Sequence, residues 1–300
     1  MQQPSKKIII SGGGTGGHIF PAIAIADALN KRLGGADIRF IGAKGRMEMD
    51  KVPAAGYPIE GLWISGIQRK LTLKNLSFPF KLISSLMKAR KIIRKFSPDL
   101  AIGTGGYASG PMLRVASKKN IPSLIQEENS FPGITNRILS KTVDSICVAY
   151  EGMEKYFPAS RLTITGNPVR KEIIDLAGKE GEAQRYFDLD SKLQTILIVG
   201  GSQGARSINQ SIGRQLQTLM EEPIQLIWQC GNTFHPEALN LIDGLEEDKK
   251  QRVQAHAFIS RMDLAYSATD LVISRAGAIA ISELCIAGKP PLLVPLPSAA

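Results

Sequence analysis

Two segments of the chain place glycines directly after a short apolar run, an arrangement suited to binding a phosphate. Residues 8–10 lead into Ser-Gly-Gly-Gly-Thr-Gly-Gly-His18, and residues 196–199 lead into Gly-Gly-Ser-Gln-Gly-Ala-Arg206. Where a helix begins after such a loop, unpaired backbone N–H groups and the positive end of the helix dipole meet at one point. A further glycine cluster spans residues 103–111. The two junctions, one in each half, indicate two nucleotide-type domains.

The first cluster also has the spacing of a dinucleotide-binding loop, G-x-G-x-x-G, through Gly12, Gly14 and Gly17. That motif requires an acidic residue at the end of the next strand to hold a ribose. The next strand-like run is instead followed by Ala43 and Lys44. A nicotinamide or flavin enzyme is therefore disfavoured.

Composition limits the class of protein. The chain has 300 residues, is 43% hydrophobic and carries a net charge of +10, which suits a globular protein large enough for two α/β domains. No apolar run approaches the roughly 18 residues of a membrane span, and no signal peptide is recognised, so a cytoplasmic protein is expected. Cys147, Cys230 and Cys285 are far apart and are interpreted as buried free thiols.

Short apolar runs alternate with helix-length segments, which predicts doubly wound parallel sheets. A polar stretch after Val169 interrupts the alternation, so we predict domains at 1–166 and 167–300. The predicted strands are 7–11, 37–41, 100–103, 123–126, 145–149 and 162–165 in the first half, and 195–199, 225–228, 253–255, 271–274 and 292–294 in the second.

One segment is strongly basic, because no acidic residue lies between Glu60 and Asp99. Its basic residues are interleaved with aliphatic and aromatic ones, a combination that suits an anionic lipid surface. An amphipathic helix with a core face and a solvated basic face is the alternative. Nucleic acid is disfavoured, because few of the apolar residues are aromatic. The candidate membrane residues are Lys74, Phe78, Phe80, Lys81, Leu82 and Lys88.

Six segments, in this order, resemble the MurG family of bacterial peptidoglycan glycosyltransferases. They are GGTGGH ending at His18, GGYASG from Gly105, QEENSFPG from Gln126, GNPVR from Gly166, GGSQGAR from Gly200 and SRAGAIAISE from Ser274. The resemblance covers essentially the whole chain. It implies a GT-B fold, with two Rossmann-like domains around a cleft. It also implies inverting transfer of N-acetylglucosamine from UDP-N-acetylglucosamine to the 4-hydroxyl of the muramyl sugar of lipid I, which gives lipid II.

Such a transfer needs a base for the attacking hydroxyl and stabilisation of the charge on the departing pyrophosphate. His18 is the candidate base, because imidazole changes charge near neutral pH and this is the only one of three histidines inside a motif. His235 and His256 are interpreted as structural. Ser202 and the glycine loop around it, with Arg170, are the candidate groups for the pyrophosphate.

By resemblance, further residues contact the substrates. Glu283 is expected in the first turn of a helix, where it binds the ribose diol, and the main chain at Ile259 reads the uracil. The remaining donor residues are Thr15, Gly16, Gly17, Asn129, Ala278, Ile279, Ala280, Ile281 and Ser282, and the acceptor and pyrophosphate loops contain Gly14, Gly105, Gly106, Tyr107, Gly201, Gln203 and Gly204.

No metal or other cofactor is expected. GT-B enzymes that resemble this chain generally need no metal for catalysis, and no Asp-x-Asp lies at a predicted strand end of the first half. The nearest match, Asp188-Leu-Asp190, lies in the polar stretch between the halves. It is interpreted as a pair of solvated charges.

The chain departs from the family pattern at two places. Glu128 stands where the family has an amide, which adds a negative charge near an anionic substrate. The family also continues, beyond the position of Ala300, with an Asp-His-Gln segment whose glutamine touches the donor sugar. A chain ending at Ala300 is therefore expected to bind donor weakly and to be poorly active.

The resemblance also favours membrane docking for the basic segment, because the acceptor carries a polyprenyl chain that stays in the bilayer. A peripheral protein on the cytoplasmic face of the membrane is expected, with no nucleic acid partner. Two alternatives remain. One is another UDP-sugar enzyme of the same fold, such as a glycolipid glycosyltransferase or a sugar-nucleotide epimerase, and the other is a membrane-docked binding module without catalysis.

Overall fold

The computed structural model describes residues 5–66, 76–201 and 204–296. The chain forms two compact units, Met1–Pro168 and Val169–Ala300. Each unit contains one parallel β-sheet with helices between its strands. This confirms the predicted fold class of two doubly wound α/β domains.

The first unit has a seven-stranded sheet in the order β3-β2-β1-β4-β5-β6-β7. Its strands are β1 (Lys6–Ser11), β2 (Ala36–Ala43), β3 (Ile59–Leu62), β4 (Leu100–Gly103), β5 (Ser123–Glu127), β6 (Ser145–Val148) and β7 (Leu162–Ile164). Its helices are α1 (Gly16–Arg32), α2 (Glu48–Ala54), α3 (Phe78–Phe96), α4 (Ser109–Lys118) and α5 (Ile134–Leu139). Strand β3 was not predicted from the sequence, because its four residues include Glu60 and Gly61 and show no apolar run.

The central strand β1 is buried on both faces. Ile8 and Ile10 belong to a core cluster with Ile19 of α1, whereas Ile9 belongs to the cluster on the other face, with Met112 of α4. Strands covered by helices on both sides are expected to be continuously apolar. That is why the isoleucine run marked this strand in the sequence.

The second unit has a five-stranded sheet in the order β10-β9-β8-β11-β12. Its strands are β8 (Gln194–Val199), β9 (Ile224–Gln229), β10 (Val253–His256), β11 (Leu271–Arg275) and β12 (Pro291–Val294). Its helices are α6 (Lys171–Ile174), α7 (Glu180–Tyr186), α8 (Arg206–Leu219), α9 (His235–Asp243), α10 (Glu247–Lys250), α11 (Met262–Ser267) and α12 (Ala278–Ala287). These strands lie where the apolar runs predicted them.

Both glycine junctions lie where the strand order reverses. Strand β1 pairs with β2 on one side and β4 on the other, and β8 pairs with β9 and β11. In open α/β sheets, ligands bind outside the carboxyl ends of the strands at such a reversal. The topology therefore places each glycine loop at the carboxyl end of an interior strand, where such sheets bind ligands.

Within the described ranges, no helix is both long and apolar enough to cross a membrane.

Candidate active site

Two glycine loops of the first unit pack directly on each other. A Cβ atom on Gly106 would overlap the main chain of Gly13, and Gly106 has a φ of +79°, so this contact requires glycine. The hydroxyl of Ser109, at the start of α4, lies within hydrogen-bonding distance of the carbonyl oxygens of Ser11 and Gly105 and shares its single proton between them. The loops after β1 and β4 therefore form one continuous backbone surface.

His18 lies in the first turn of α1, beside the loop after β4. Thr104 Oγ1 donates to its main-chain carbonyl at 2.9 Å, and a Cβ on Gly105 would lie 2.8 Å from the imidazole ring. The side chain remains 24% exposed. Its ring is therefore held by the two glycine loops and is still open to a substrate.

The segment after β5 supplies two neighbouring carboxylates. Glu127 accepts hydrogen bonds from the main-chain N–H groups of Asn129 and Gly133 and from the side-chain amide of Asn136, which organises this loop. Glu128 Oε1 lies 3.7 Å from His18 Nδ1. Burial raises the pKa of the Glu128 carboxyl, and the charge of Glu127 raises it further.

Sequence reasoning missed Glu48, which is 1% exposed. Its carboxylate accepts from the main-chain N–H groups of Ala43 at 2.9 Å and Gly14 at 3.0 Å. The acidic residue sought after β2 thus exists, but it is buried against the first glycine loop and fixes that loop. No local pattern could identify it, because Glu48 reaches Gly14 only through the pairing of β1 with β2.

In the second unit, the two charged donor candidates bind each other. Arg170 Nε and Nη2 donate to the two carboxylate oxygens of Glu283, each at 2.8 Å. Tyr266 Oη lies 3.4 Å from Glu283 Oε2. Burial opposes the charge of Arg170, but the hydrogen bonds with Glu283 outweigh it and hold the pKa of Arg170 above its ordinary value. The two side chains therefore form a bidentate ion pair.

The expected position of Glu283 in a first helical turn was wrong. Helix α12 begins at Ala278, so Glu283 is its sixth residue and lies in the second turn. Glu283 is 4% exposed, whereas residues 278–282 are half-buried. The start of α12 is thus more accessible than Glu283 itself.

Gln229, at the end of β9, links two candidate donor segments and was also missed. Its Nε2 donates to the carbonyl of Gly201 at 3.0 Å, and its Oε1 accepts from the main-chain N–H of Ile259 at 2.9 Å. A buried amide with both a donor and an acceptor can hold two loops at once. Ser202 and Gln203 lie outside the described residues. At Gly204, φ is +79° and a Cβ would overlap the carbonyl of Cys230.

Helix α3, which forms most of the described basic segment, has one face packed on the core and one exposed face. Leu82, predicted to contact a membrane, instead packs against the core cluster beneath the helix. The opposite face exposes Phe80, Ile83 and Met87, which are spaced to lie on one side of a helix. Phe78 is half-buried.

The lysines of this segment differ in their contacts. Lys81 donates to Ser65 Oγ at 2.9 Å and Lys88 to the carbonyl of Gly61 at 2.8 Å, so both are anchored to neighbouring loops. Arg90, Lys91 and the later basic residues Arg94 and Lys95 are exposed. Lys74 lies outside the described residues.

The side chains of the other histidines and of the cysteines have the following surroundings. His235 Nε2 contacts the carbonyl of Ala255, and burial lowers the pKa of His256. Cys230 is buried, which raises the pKa of its thiol to about 11. The expectation that all three cysteines are buried was wrong for Cys285, which is exposed on α12, and Cys147 is only partly buried. Among the described residues, no group of three or more metal-ligating side chains was found.

Family comparisons agree with this arrangement of two units. The model of the glycosyltransferase family 28 N-terminal domain matches residues 8–148, and that of the family 28 C-terminal domain matches residues 195–300. The UDP-N-acetylglucosamine–N-acetylmuramyl-(pentapeptide) pyrophosphoryl-undecaprenol N-acetylglucosamine transferase of Christiangramia forsetii is 54% identical over 98% of this chain and 78% of its own length. The transferase of the same name from Cytophaga hutchinsonii is 52% identical over 100% of this chain and 79% of its own length.

One solved structure gives the same assignment, and another shares only the fold. The crystal structure of MurG from Acinetobacter baumannii has a TM-score of 0.70 and 30% identity, covering 99% of this chain and 80% of that one. A UDP-GlcNAc 2-epimerase from Neisseria meningitidis, bound to UDP-GlcNAc, has a TM-score of 0.65 at 16% identity over 96% of this chain and 82% of that one, which shows a shared fold alone. The chain belongs to glycosyltransferase family 28 and, within it, to the MurG family of N-acetylglucosamine transferases.

Proposed function

We propose that the protein transfers N-acetylglucosamine from UDP-N-acetylglucosamine to the 4-hydroxyl of the N-acetylmuramyl sugar of lipid I, which is undecaprenyl-pyrophosphoryl-N-acetylmuramyl-pentapeptide, and so forms lipid II. The observation that carries this function is identity of about half of all residues, over nearly the whole chain, to transferases named for this reaction. The glycine loops that carry the family motifs are also the ones that the fold places at the strand-order reversals.

In the proposed mechanism, His18 accepts the proton of the attacking 4-hydroxyl. The hydroxyl oxygen forms a bond to the anomeric carbon of N-acetylglucosamine, and the bond from that carbon to the phosphate oxygen breaks. Its electron pair leaves with UDP, and the configuration at the anomeric carbon is inverted. The placement of His18 between two glycine loops, with its side chain 24% exposed, supports this role.

The proposed contacts of the donor nucleotide lie in the second unit. In the second unit, the backbone of Gly201 and Gly204 and the charge of Arg170 face the growing negative charge of the pyrophosphate. Gln229 positions Gly201 and Ile259 relative to each other, which supports a shared role for these two segments in binding one nucleotide. Thr15 and Asn129 are the proposed contacts of the first unit, beside the sugar and acceptor.

Release of UDP is the measurement that tests this function. UDP release should require both UDP-N-acetylglucosamine and lipid I, with lipid II as the other product. Conversion of UDP-N-acetylglucosamine without an acceptor would instead favour an epimerase of the same fold, and donor binding without any release would favour a binding module. Either result would contradict the proposal.

The acceptor's polyprenyl chain also implies a peripheral position on the cytoplasmic face of the membrane. Phe80, Ile83 and Met87 form an exposed apolar side of α3 beside exposed basic residues. Apolar side chains can enter the headgroup region, while each nearby basic residue contributes about 1 kcal/mol on an anionic surface. This face of α3 is the proposed membrane-docking surface.

Replacement of Phe80, Ile83 and Met87 with serine is expected to weaken binding to anionic vesicles by about tenfold or more, because buried apolar area is lost at the lipid surface. UDP binding should be unchanged. Vesicle co-sedimentation and UDP titration give the two quantities.

Leu239→Ser is the matched control, because Leu239 is 44% exposed on α9 of the second unit. Leu82 is left intact, since it packs on the core. Equal vesicle binding by the triple variant and the control would show that this face does not dock on lipid.

A further inference from the structure

In the described part of the first unit, four buried side-chain polar atoms have no hydrogen-bond partner. Two of them, His18 Nδ1 and Glu128 Oε2, belong to neighbouring side chains. The other carboxylate oxygen, Glu128 Oε1, is 3.7 Å from the same Nδ1. That distance is too long for a hydrogen bond and short enough for an ion pair. The imidazole nitrogen and the carboxylate therefore face each other with no other partner for that nitrogen among the described residues.

The surroundings of Glu128 hold its carboxylate beside His18. Asn167 Nδ2 donates to the main-chain carbonyl of Glu128 at 3.2 Å, and Asn129 Nδ2 lies 3.5 Å from its Oε1. A Cβ on Gly17 would lie 2.7 Å from the same oxygen. Gly17, which precedes His18, therefore leaves the space that the carboxylate occupies.

We propose that Glu128 is a positioning residue for His18. Its carboxylate accepts the Nδ1–H of the imidazole, which leaves the lone pair of Nε2 free to take the proton of the acceptor hydroxyl. After that transfer, the negative charge of Glu128 faces the imidazolium and stabilises it. Glu128 is not consumed and forms no bond with either substrate. The inference rests on the proposed role of His18 as the base.

The charged groups facing Glu128 determine when it can act. His18, when protonated, carries the charge opposite to that of the Glu128 carboxylate. The neighbouring carboxylate of Glu127 repels the Glu128 carboxylate, and the side-chain amide of Asn129 donates a hydrogen bond to it. Because burial and Glu127 together hold the pKa of Glu128 above that of an ordinary glutamate, its negative charge is lost at a higher pH than usual as the solution is acidified. Its effect on His18 should disappear over the same range.

The first experiment compares the wild-type protein with Glu128→Gln, which keeps the size of the side chain and removes its charge. At neutral pH and above, kcat/KM for sugar transfer should be about tenfold higher in the wild type. The reason is that the carboxylate stabilises the imidazolium formed during proton transfer, whereas a neutral amide does not. The ratio of the two rates should fall toward one as the pH is lowered and Glu128 becomes protonated. A ratio that stays constant with pH would show that Glu128 is merely structural and would overturn the proposal.

Two further variants serve as controls for this ratio. Glu151→Gln removes an exposed carboxylate of the same unit that is not part of the site, and its ratio to wild type should stay near one at every pH. Glu128→Asp keeps a carboxylate and should recover part of the pH-dependent ratio. Failure of this rescue, with the variant folded, would also count against an electrostatic role.

A second experiment does not depend on catalysis. In protein labelled with nitrogen-15 at histidine, the ring shifts of His18 should report the Nδ1–H tautomer, and the share of that tautomer should fall in Glu128→Gln. His18→Asn identifies the signal among three histidines. An unchanged tautomer would overturn the inference even if the enzyme is active. A changed tautomer in a protein without transferase activity would support the contact and contradict the proposed function instead.

Discussion

Replacement of His18 with alanine is expected to lower kcat for sugar transfer by about 10²- to 10⁴-fold, the usual contribution of a general base. Lipid I-dependent UDP release measures this loss. The affinity for UDP should be retained, because the candidate pyrophosphate and uracil contacts lie in the second unit, on Arg170, Gly201 and Ile259. A parallel loss of UDP affinity and kcat would point to a role in binding and contradict the assignment of a base.

His235→Ala is the matched control for that variant. His235 lies at the start of α9 in the second unit, and its ring contacts the carbonyl of Ala255. It is remote in the chain from every glycine loop of the first unit, so its loss should leave kcat within a few-fold of the wild type. A His18→Ala protein as active as His235→Ala would exclude His18 as the base.

Replacement of Arg170 with methionine is expected to destabilise the second unit by about 3–5 kcal/mol. The variant leaves the carboxylate of Glu283 buried, at 5% side-chain exposure, without its two hydrogen bonds from the guanidinium. Removing one partner of a buried ion pair costs more than removing both, because the remaining charge is neither solvated nor paired.

Urea unfolding measured by the fluorescence of Trp228 gives this free energy for the second unit. Trp228 is fully buried in that unit, and a Trp63→Phe background removes the other of the two tryptophans. Arg214→Met, at an exposed position of α8, controls for the loss of an arginine and should change stability by less than about 0.5 kcal/mol.

A double variant separates the pair from the single residue. Arg170→Met combined with Glu283→Gln leaves no charge unpaired, so it should be more stable than Arg170→Met alone. If Arg170→Met lowers the free energy of unfolding by less than about 1 kcal/mol, the ion pair contributes little to the stability of the second unit. Glu283 could then change partner without a measurable loss of stability. Such a result would contradict a stabilising role for the pair.

The Arg170–Glu283 pair also bears on donor binding. Arg170 was predicted as a pyrophosphate contact and Glu283, by resemblance, as a ribose contact, and the structure shows them bound to each other. The pyrophosphate of a donor offers Arg170 a second anionic partner. We therefore expect the roles of these two residues to be coupled, so that substitution of one changes the contribution of the other to UDP affinity.

Much of the fold followed from local patterns in the chain. The isoleucines of β1 and the apolar run of β8 are buried on both sides, so each appeared as an uninterrupted apolar segment. Strand β3 did not appear in this way, because its residues Glu60 and Gly61 interrupt any apolar pattern. It is a strand because it pairs with β2. Apolar periodicity reports burial, and a short edge strand is only partly buried.

The candidate site was predicted less completely than the fold. The glycine loops and His18 could be found because they are contiguous in sequence and close in pattern to a known family. The division of α3 into a core face with Leu82 and an exposed face with Ile83 could not, since the segment is apolar on both sides. Which side met the core depended on the helix's packing beneath the sheet.

The sequence by itself determined the two α/β domains, the glycine loops at their strand ends and the family to which the chain belongs. Only the tertiary structure decided how the charges pair: Glu48 with the loop at Gly14, Glu128 with His18, and Arg170 with Glu283, 113 residues apart. The physical reason is that strand and helix patterns depend on residues close in the chain. Ion pairs and buried hydrogen bonds depend on which strands become neighbours, and the carboxyl ends of those strands meet only after the sheet has formed.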